Sequence, residues 1–153
     1  MKLSLRGEYA LRAMLVLGQH YDESVVSIKT ISEEQNIPRR FLEQILNELK
    51  SVHLVQSRRG VLGGYRLARA PEDISLAAII GHVEGALAPI SCVSERFYEK
   101  CSCPDELQCA IRSVMKEIRE AIVAIAQRVT VADLCQRSRQ LQNSSEELVD
   151  FVI

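Results

Sequence analysis

A chain of 153 residues with 47% apolar content and 25% charged residues is long enough for one ordinary domain, or a small domain with an extended appendage, and needs no covalent staples. It shows no secretory leader pattern and no apolar run near the ~18 residues of a membrane span, so it is expected to be cytoplasmic, with no membrane partner. The net charge of -1 conceals an asymmetry: residues 1–70 hold eleven Lys and Arg against seven Asp and Glu, whereas residues 71–153 hold eight against thirteen. A basic N-terminal half is where a polyanion such as nucleic acid would meet the chain, although ordinary scatter also gives a surplus of this size.

The elements follow in order. A first helix is predicted over Ser4 to Gln19, where Ala10, Ala13, Met14 and Leu17 recur at i, i+3, i+4 and i+7. A second starts after the N-cap Ser27 and gives out near Asn36, a residue that tolerates the left-handed conformation. Pro38 opens a third, to about Ser51, because proline at a first helical position lacks only a donor that would be unpaired there. Two short helices joined by a tight turn make a helix-turn-helix. In the third, Leu42, Ile45, Leu46 and Leu49 form the face to be buried, while Arg40, Glu43, Gln44 and Asn47 repeat that spacing on the other side. These polar side chains suit base edges: Arg forks to guanine, Gln or Asn to adenine, and Glu accepts from cytosine. Arg39 and Arg40 also sit in the first helical turn, where the helix dipole disfavours positive charge, and a broken local rule of this kind points to function. A solvated helix face is the alternative. VQSRRGVLGGYRLA, residues 55–68, then reads as a two-stranded hairpin with Arg58 and Arg59 beside a glycine-rich tip, a wing. Its glycines match neither nucleotide-binding loop pattern.

Residues Ser75 to Glu84 read as a short connecting helix. CVSERFYEKCSCPDELQC, residues 92–109, then carries four of the five cysteines. In a reducing compartment such clustering points to metal ligands or a redox centre rather than a disulfide framework. The order C-x8-C-x-C-x5-C fits neither the paired knuckles of structural zinc nor the ferredoxin run. It has few large apolar anchors apart from Phe97 and Tyr98, so ligation is expected to order it. Beyond it Leu107, Ile111, Val114, Ile118, Ile122 and Ile125 recur at steps of three or four, close to a heptad seam that wants a partner helix. Cys135, on a short terminal helix, reads as a small buried hydrophobe. His20, His53 and His82 share no ligand spacing, and no nucleophile stands near a base, so enzyme activity is not indicated.

KLSLRGEYALRAM at the start, IPRRFLEQIL in the third helix and RRGVLGGYRLA in the wing resemble the IscR/NsrR-type winged-helix iron-sulfur cluster regulators, a family that also has cluster-free members. The resemblance runs to about Gly85 and resumes with the cysteine segment and the long helix. It implies a mainly α fold with a small β-hairpin wing: a winged helix-turn-helix DNA-binding domain (1–85), a cysteine-rich cluster-binding loop (86–109), a long dimerisation helix (104–126), and a C-terminal helix and tail (127–153). By position it puts Arg39, Arg40, Glu43 and Gln44 on the recognition helix and Arg59 with Tyr65 on the wing, reading a palindromic double-stranded DNA operator as a homodimer. It also implies an iron-sulfur cluster, 2Fe-2S rather than 4Fe-4S, on Cys92, Cys103 and Cys109. The gap between Cys92 and Cys103 is wider than the family pattern, Cys101 is an additional thiol, and Arg112 stands where some members place a ligating histidine. The fourth ligand is then Cys101, or Glu8 of the partner subunit. Two other readings stay open: a cluster-free winged-helix regulator answering to thiol oxidation or a partner protein, and an iron-sulfur carrier or electron-transfer protein.

Overall fold

The computed structural model describes residues 3–22, 25–85 and 87–150, with side chains to residue 144. Helix α1, Leu5–Gln19, is capped by Ser4, whose hydroxyl accepts the Gly7 N–H at 3.1 Å. Its stripe of Ala10, Ala13, Met14 and Leu17 is buried at the centre of the core. Helix α2, Ile28–Gln35, starts on the Ser27 hydroxyl and stops where Asn36 turns left-handed at φ 50°. Helix α3, Arg39–Ser51, has Pro38 as its cap rather than as its first helical residue. Strands β1, Val55–Arg58, and β2, Gly64–Leu67, pair antiparallel with Ser57 opposite Tyr65. A bridge between Val26 and Tyr65, two backbone bonds of 2.8 Å, ties this hairpin to the entry of α2. A Cβ on Gly64 would run into the Val26 carbonyl, so that close approach requires glycine.

Helix α4, Leu76–Val83, follows and packs against α1. Helix α5, Ala110–Arg128, begins six residues later than the expected start at 104. The cause is local: the Asp105 carboxylate accepts the N–H of Leu107 at 2.8 Å and of Gln108 at 3.3 Å, holding that stretch as a turn. Leu107 therefore lies off the helix that carries the rest of its stripe. Helix α6, Val131–Asp150, is longer than the short terminal helix expected, and the tail after Asp150 lies outside the described residues. Thr130 and Asp133 form its capping box. The α6 start returns to α1: Val131 is fully buried, and the buried Cys135 thiol donates to the Leu15 carbonyl at 3.7 Å, a core role as expected. Two antiparallel backbone bonds of 2.9 Å, Leu76 N–H to Val129 O and Val131 N–H to Ile74 O, stitch the far end of α5 to the entry of α4. Among the described residues no helix is long and apolar enough to cross a membrane.

Candidate nucleic-acid interface and thiol centre

Helix α3 divides as its spacing predicts. Leu42, Ile45, Leu46 and Leu49 are at most 1% exposed, and Arg39, Arg40, Glu43, Gln44 and Asn47 all face solvent. Pro38 supplies no side-chain cap, so the N–H groups of the first turn stay available beside two guanidinium groups. Arg39 lies 4.0 Å from the Glu33 carboxylate on α2; Arg40 has no ion pair or hydrogen bond among the described residues. Phe41 was missed by the sequence reading: it is 54% exposed, its ring 6.5 Å from that of Tyr9. In the hairpin, Arg58 and Arg59 are exposed and unpaired among the described residues, whereas Arg66 is held by Gln56 on the facing strand. Tyr65 is only partly exposed and packs on the core, and its backbone serves the bridge to Val26.

The thiol segment has more anchors than its sequence suggests. Cys92, Val93 and Ser94 are buried. Arg119, from the middle of α5, donates to the Val93 carbonyl at 3.1 Å and pairs with Glu95, while Arg96 donates to the Gly81 carbonyl at 2.7 Å on α4. Phe97 lies across Gly85. The first half of the segment is thus fastened between α4 and α5.

All four loop thiols converge. Cys103 and Cys109 have their Sγ atoms 3.7 Å apart, and Cys101 lies beside both Cys92 and Cys103. The ligand atoms of Cys92, Cys101 and Glu106 lie within 4.8 Å of one another. Glu106 escaped the sequence reading, its only signal being a carboxylate three residues before a cysteine in a thiol loop. Its oxygens accept from the Tyr98 hydroxyl at 2.7 and 2.9 Å and face the Arg112 guanidinium at 3.5 Å. Arg112 also donates to the Cys92 carbonyl at 3.3 Å, so the residue in the histidine position braces the loop. Cys109 caps α5, its sulfur accepting the Arg112 N–H at 3.4 Å. That bond holds the Cys109 thiol below its ordinary range, while hydrogen bonds to Cys101 and Cys109 push Cys103 up to about 12. Burial pushes Cys92 up. Glu8 is exposed on α1, paired with Arg12 at 3.3 Å, and is not gathered with the thiols of its own chain.

The heptad stripe on α5 is open: Ile111 is 67% exposed, Val114 52%, Ile118 40% and Ile125 55%. An unpartnered apolar seam of this length is unusual on a single chain.

A family model described as an iron-dependent transcriptional regulator, Rrf2, matches residues 3–137. The HTH-type transcriptional regulator IscR of Vibrio atlanticus is 29% identical over 153 residues, covering 100% of this chain and 86% of that relative. The solved structure of CymR, the global cysteine regulator of B. subtilis, superposes with a TM-score of 0.76 at 30% identity, covering 90% of this chain and 98% of that one. The T. potens IscR structure gives 0.74 at 31% identity, covering 93% and 91%.

Proposed function

The chain belongs to the Rrf2 family of iron-dependent transcriptional regulators, DNA-binding and non-enzymatic, and from that premise we propose that it acts as a cytoplasmic homodimer whose operator binding answers to an iron-sulfur group on its thiol loop. The observation that carries the reading is the convergence of four thiols at the N-terminus of α5, the helix with the open apolar seam.

Each part of the division along the chain has its role. Residues 1–85 form the reading head, in which Arg39, Arg40, Glu43, Gln44 and Asn47 enter the major groove and Arg58 and Arg59 on the wing meet phosphate or minor groove, with Tyr65 holding the wing to α2. The α5 seam pairs with that of a second copy and sets two heads about one DNA turn, roughly 34 Å, apart on a palindrome.

The donor chemistry of residues 86–109 fits an iron-sulfur centre: every cysteine is a free thiol, three in the loop are partly accessible, and Cys92 is buried beside them. Cys92, Cys103 and Cys109 would hold it, with Cys101 or the partner subunit's Glu8 as fourth ligand, as a 2Fe-2S rather than a 4Fe-4S centre. When bound, the group supplies an oxidant-sensitive cross-link between the thiols. The residues of the chain do the rest: Cys109 ends α5, Arg112 and Arg119 hold the loop against it, and the state of the loop biases how α5 and hence the heads are set. A bias of about 1.4 kcal/mol changes operator affinity tenfold.

The 3.7 Å between Cys103 and Cys109 also favours a second reading, a cluster-free regulator responding to thiol oxidation. Family membership leaves the carrier reading without support. Isolation without air, with iron and sulfide analysis and DNA selection on loaded and iron-free protein, tests the proposal. The expected result is a coloured dimer whose enriched sequence or affinity changes when iron is removed. A colourless, iron-free dimer that binds its selected operator tightly sinks the cluster and leaves the second reading. No enriched sequence in any redox state sinks both.

A further inference from the structure

We infer that Cys101 is the fourth ligand, so that one protomer supplies all four thiolates as two pairs, Cys92 with Cys101 and Cys103 with Cys109. This rests on the cluster reading above and deepens it by closing the site within a single chain.

The first support is distance. Two sulfurs bound to one tetrahedral metal at about 2.3 Å lie roughly 3.8 Å apart. The Sγ atoms of Cys103 and Cys109 are already 3.7 Å apart, so this pair needs no rearrangement to share an iron. Cys92 and Cys101 have their sulfurs within 4.8 Å, and the Cys101 thiol reaches Cys103 as well as Cys92, which joins the two pairs into one continuous set.

The second support is local chain geometry. Cys101, Ser102 and Cys103 lie outside any helix, and their burial alternates: both cysteines are partly buried and the serine between them is exposed. The chain bends at Ser102, and the C-x-C spacing leaves both thiols partly buried on the inside of the loop, one beside each pair. The cysteine that departs from the family pattern, and the wide gap after Cys92, thereby acquire a common purpose. Eight residues separate Cys92 from Cys101, and the chain between them folds back to bring their sulfurs within 4.8 Å.

The third support is what the competing carboxylates are doing. Glu106 reaches the Cys92 and Cys101 sulfurs, but its oxygens accept from the Tyr98 hydroxyl and face the Arg112 guanidinium. A carboxylate neutralised in this way is a poor competitor for iron against an adjacent soft thiolate. Glu106 is therefore a positioning residue that fixes Tyr98 and Arg112 around the Cys92 pair. Glu8 is engaged by Arg12 on its own helix. Each of the four thiols gives up its proton to solvent as it ligates.

The test uses the full chain isolated without air. In the parent, thiol footprinting with an alkylating reagent and mass spectrometry should show Cys101 protected by iron loading at least ~10-fold, together with Cys92, Cys103 and Cys109. Cys101→Ser should lose iron to a chelator at least ~10-fold faster than the parent and show a shifted electron paramagnetic resonance signal in the reduced state. Glu8→Gln should match the parent in both. A Cys101 that alkylates equally fast in loaded and iron-free parent overturns the inference, whether or not the variant folds. So does a Cys101→Ser variant with parental signal and iron retention, or a Glu8→Gln variant that loses iron as Cys101→Ser was expected to. A parent with no iron at all fails at the first measurement and takes the cluster reading down with it, whereas any of the other failures leaves that reading standing.

Discussion

Replacing Arg40 by alanine separates reading from folding cleanly. Among the described residues the Arg40 side chain has no ion pair or hydrogen bond and is exposed, whereas Arg39 next to it faces Glu33. Removing an unpartnered surface side chain changes folding free energy by no more than about 0.5 kcal/mol, and taking a cation out of the first turn of α3 offsets even that. A bidentate arginine-guanine contact carries about 1–3 kcal/mol of discrimination. With one such contact in each half-site, the proposed dimer loses about 2–6 kcal/mol, or roughly 30-fold to 20,000-fold in affinity for its best operator. The assay is fluorescence anisotropy on the selected operator and on single-base variants, from 50 to 200 mM salt, beside thermal melts of both proteins. The loss should be large on the best operator and near zero on the variant lacking the base pair Arg40 reads. An equal loss on every sequence, with the log-log salt slope falling by about one per subunit, would make Arg40 a phosphate contact and refute the base-reading assignment.

Three further outcomes are expected. Ile118→Glu with Ile125→Glu should convert the dimer to a folded monomer by light scattering, because both side chains are exposed in the single chain and their loss costs its fold little; a persistent dimer would place the interface elsewhere. Gly18→Ala should destabilise by about 1–3 kcal/mol in a thermal melt, since the added Cβ would stand 2.5 Å from Val131 and 2.8 Å from the Cys135 sulfur where α6 returns to α1; an unchanged melt contradicts that packing. Asp133, its carboxyl held below the ordinary range by the Thr130 N–H and hydroxyl, contributes stability that is complete above the ordinary carboxylate range and lost as pH falls through its depressed value. The gap in melting temperature between the parent and Asp133→Ala should thus stay constant from neutrality to about pH 5 and close on further acidification; a gap that widens in acid reverses the assigned sign.

What was legible in the sequence was what short-range chemistry decides. Ser27 as a cap, Asn36 as a left-handed stop and the two faces of α3 each depend on neighbours within four residues, and all stand where the spacing put them. The start of α5 was misplaced because the heptad stripe extends one residue type too far: Leu107 continues the period, but the Asp105 side chain takes the N–H groups a helix would need. Periodicity reports which side chains could share a face, and cannot report a local competitor for the backbone. The anchoring of the thiol loop was illegible for a different reason. Arg119 is 26 residues from the Val93 carbonyl it holds, Arg112 is 20 from that of Cys92, and a lone arginine within an amphipathic helix reads as solvated until the loop is folded over it. Glu106 was hidden by the folding of the loop on itself, its partners Tyr98 and Arg112 lying eight and six residues away.

The arrangement of α5 explains how a change confined to the thiols could reach a surface that touches none of them. Cys109 ends the helix at one side, and at the other the bonds Val129 to Leu76 and Ile74 to Val131 fix it to the entry of α4, which packs on both α1 and α3. Nineteen residues make a rod of about 28 Å, so a tilt of about 5° at the capped end moves the opposite end by about 2.5 Å. Base-edge hydrogen bonds weaken steeply beyond about 3.2 Å, so a displacement of that size between two heads is enough to break one half-site while the other is engaged. A loop that merely hung from α5 would dissipate the movement. Here Arg112 and Arg119, two turns apart on the same helix face, grip the backbone at Cys92 and Val93, so a shift of that part of the loop loads α5. Coupling by this route needs rigidity at both ends of the rod and freedom along its apolar seam, and the seam is the part that a second subunit would have to follow.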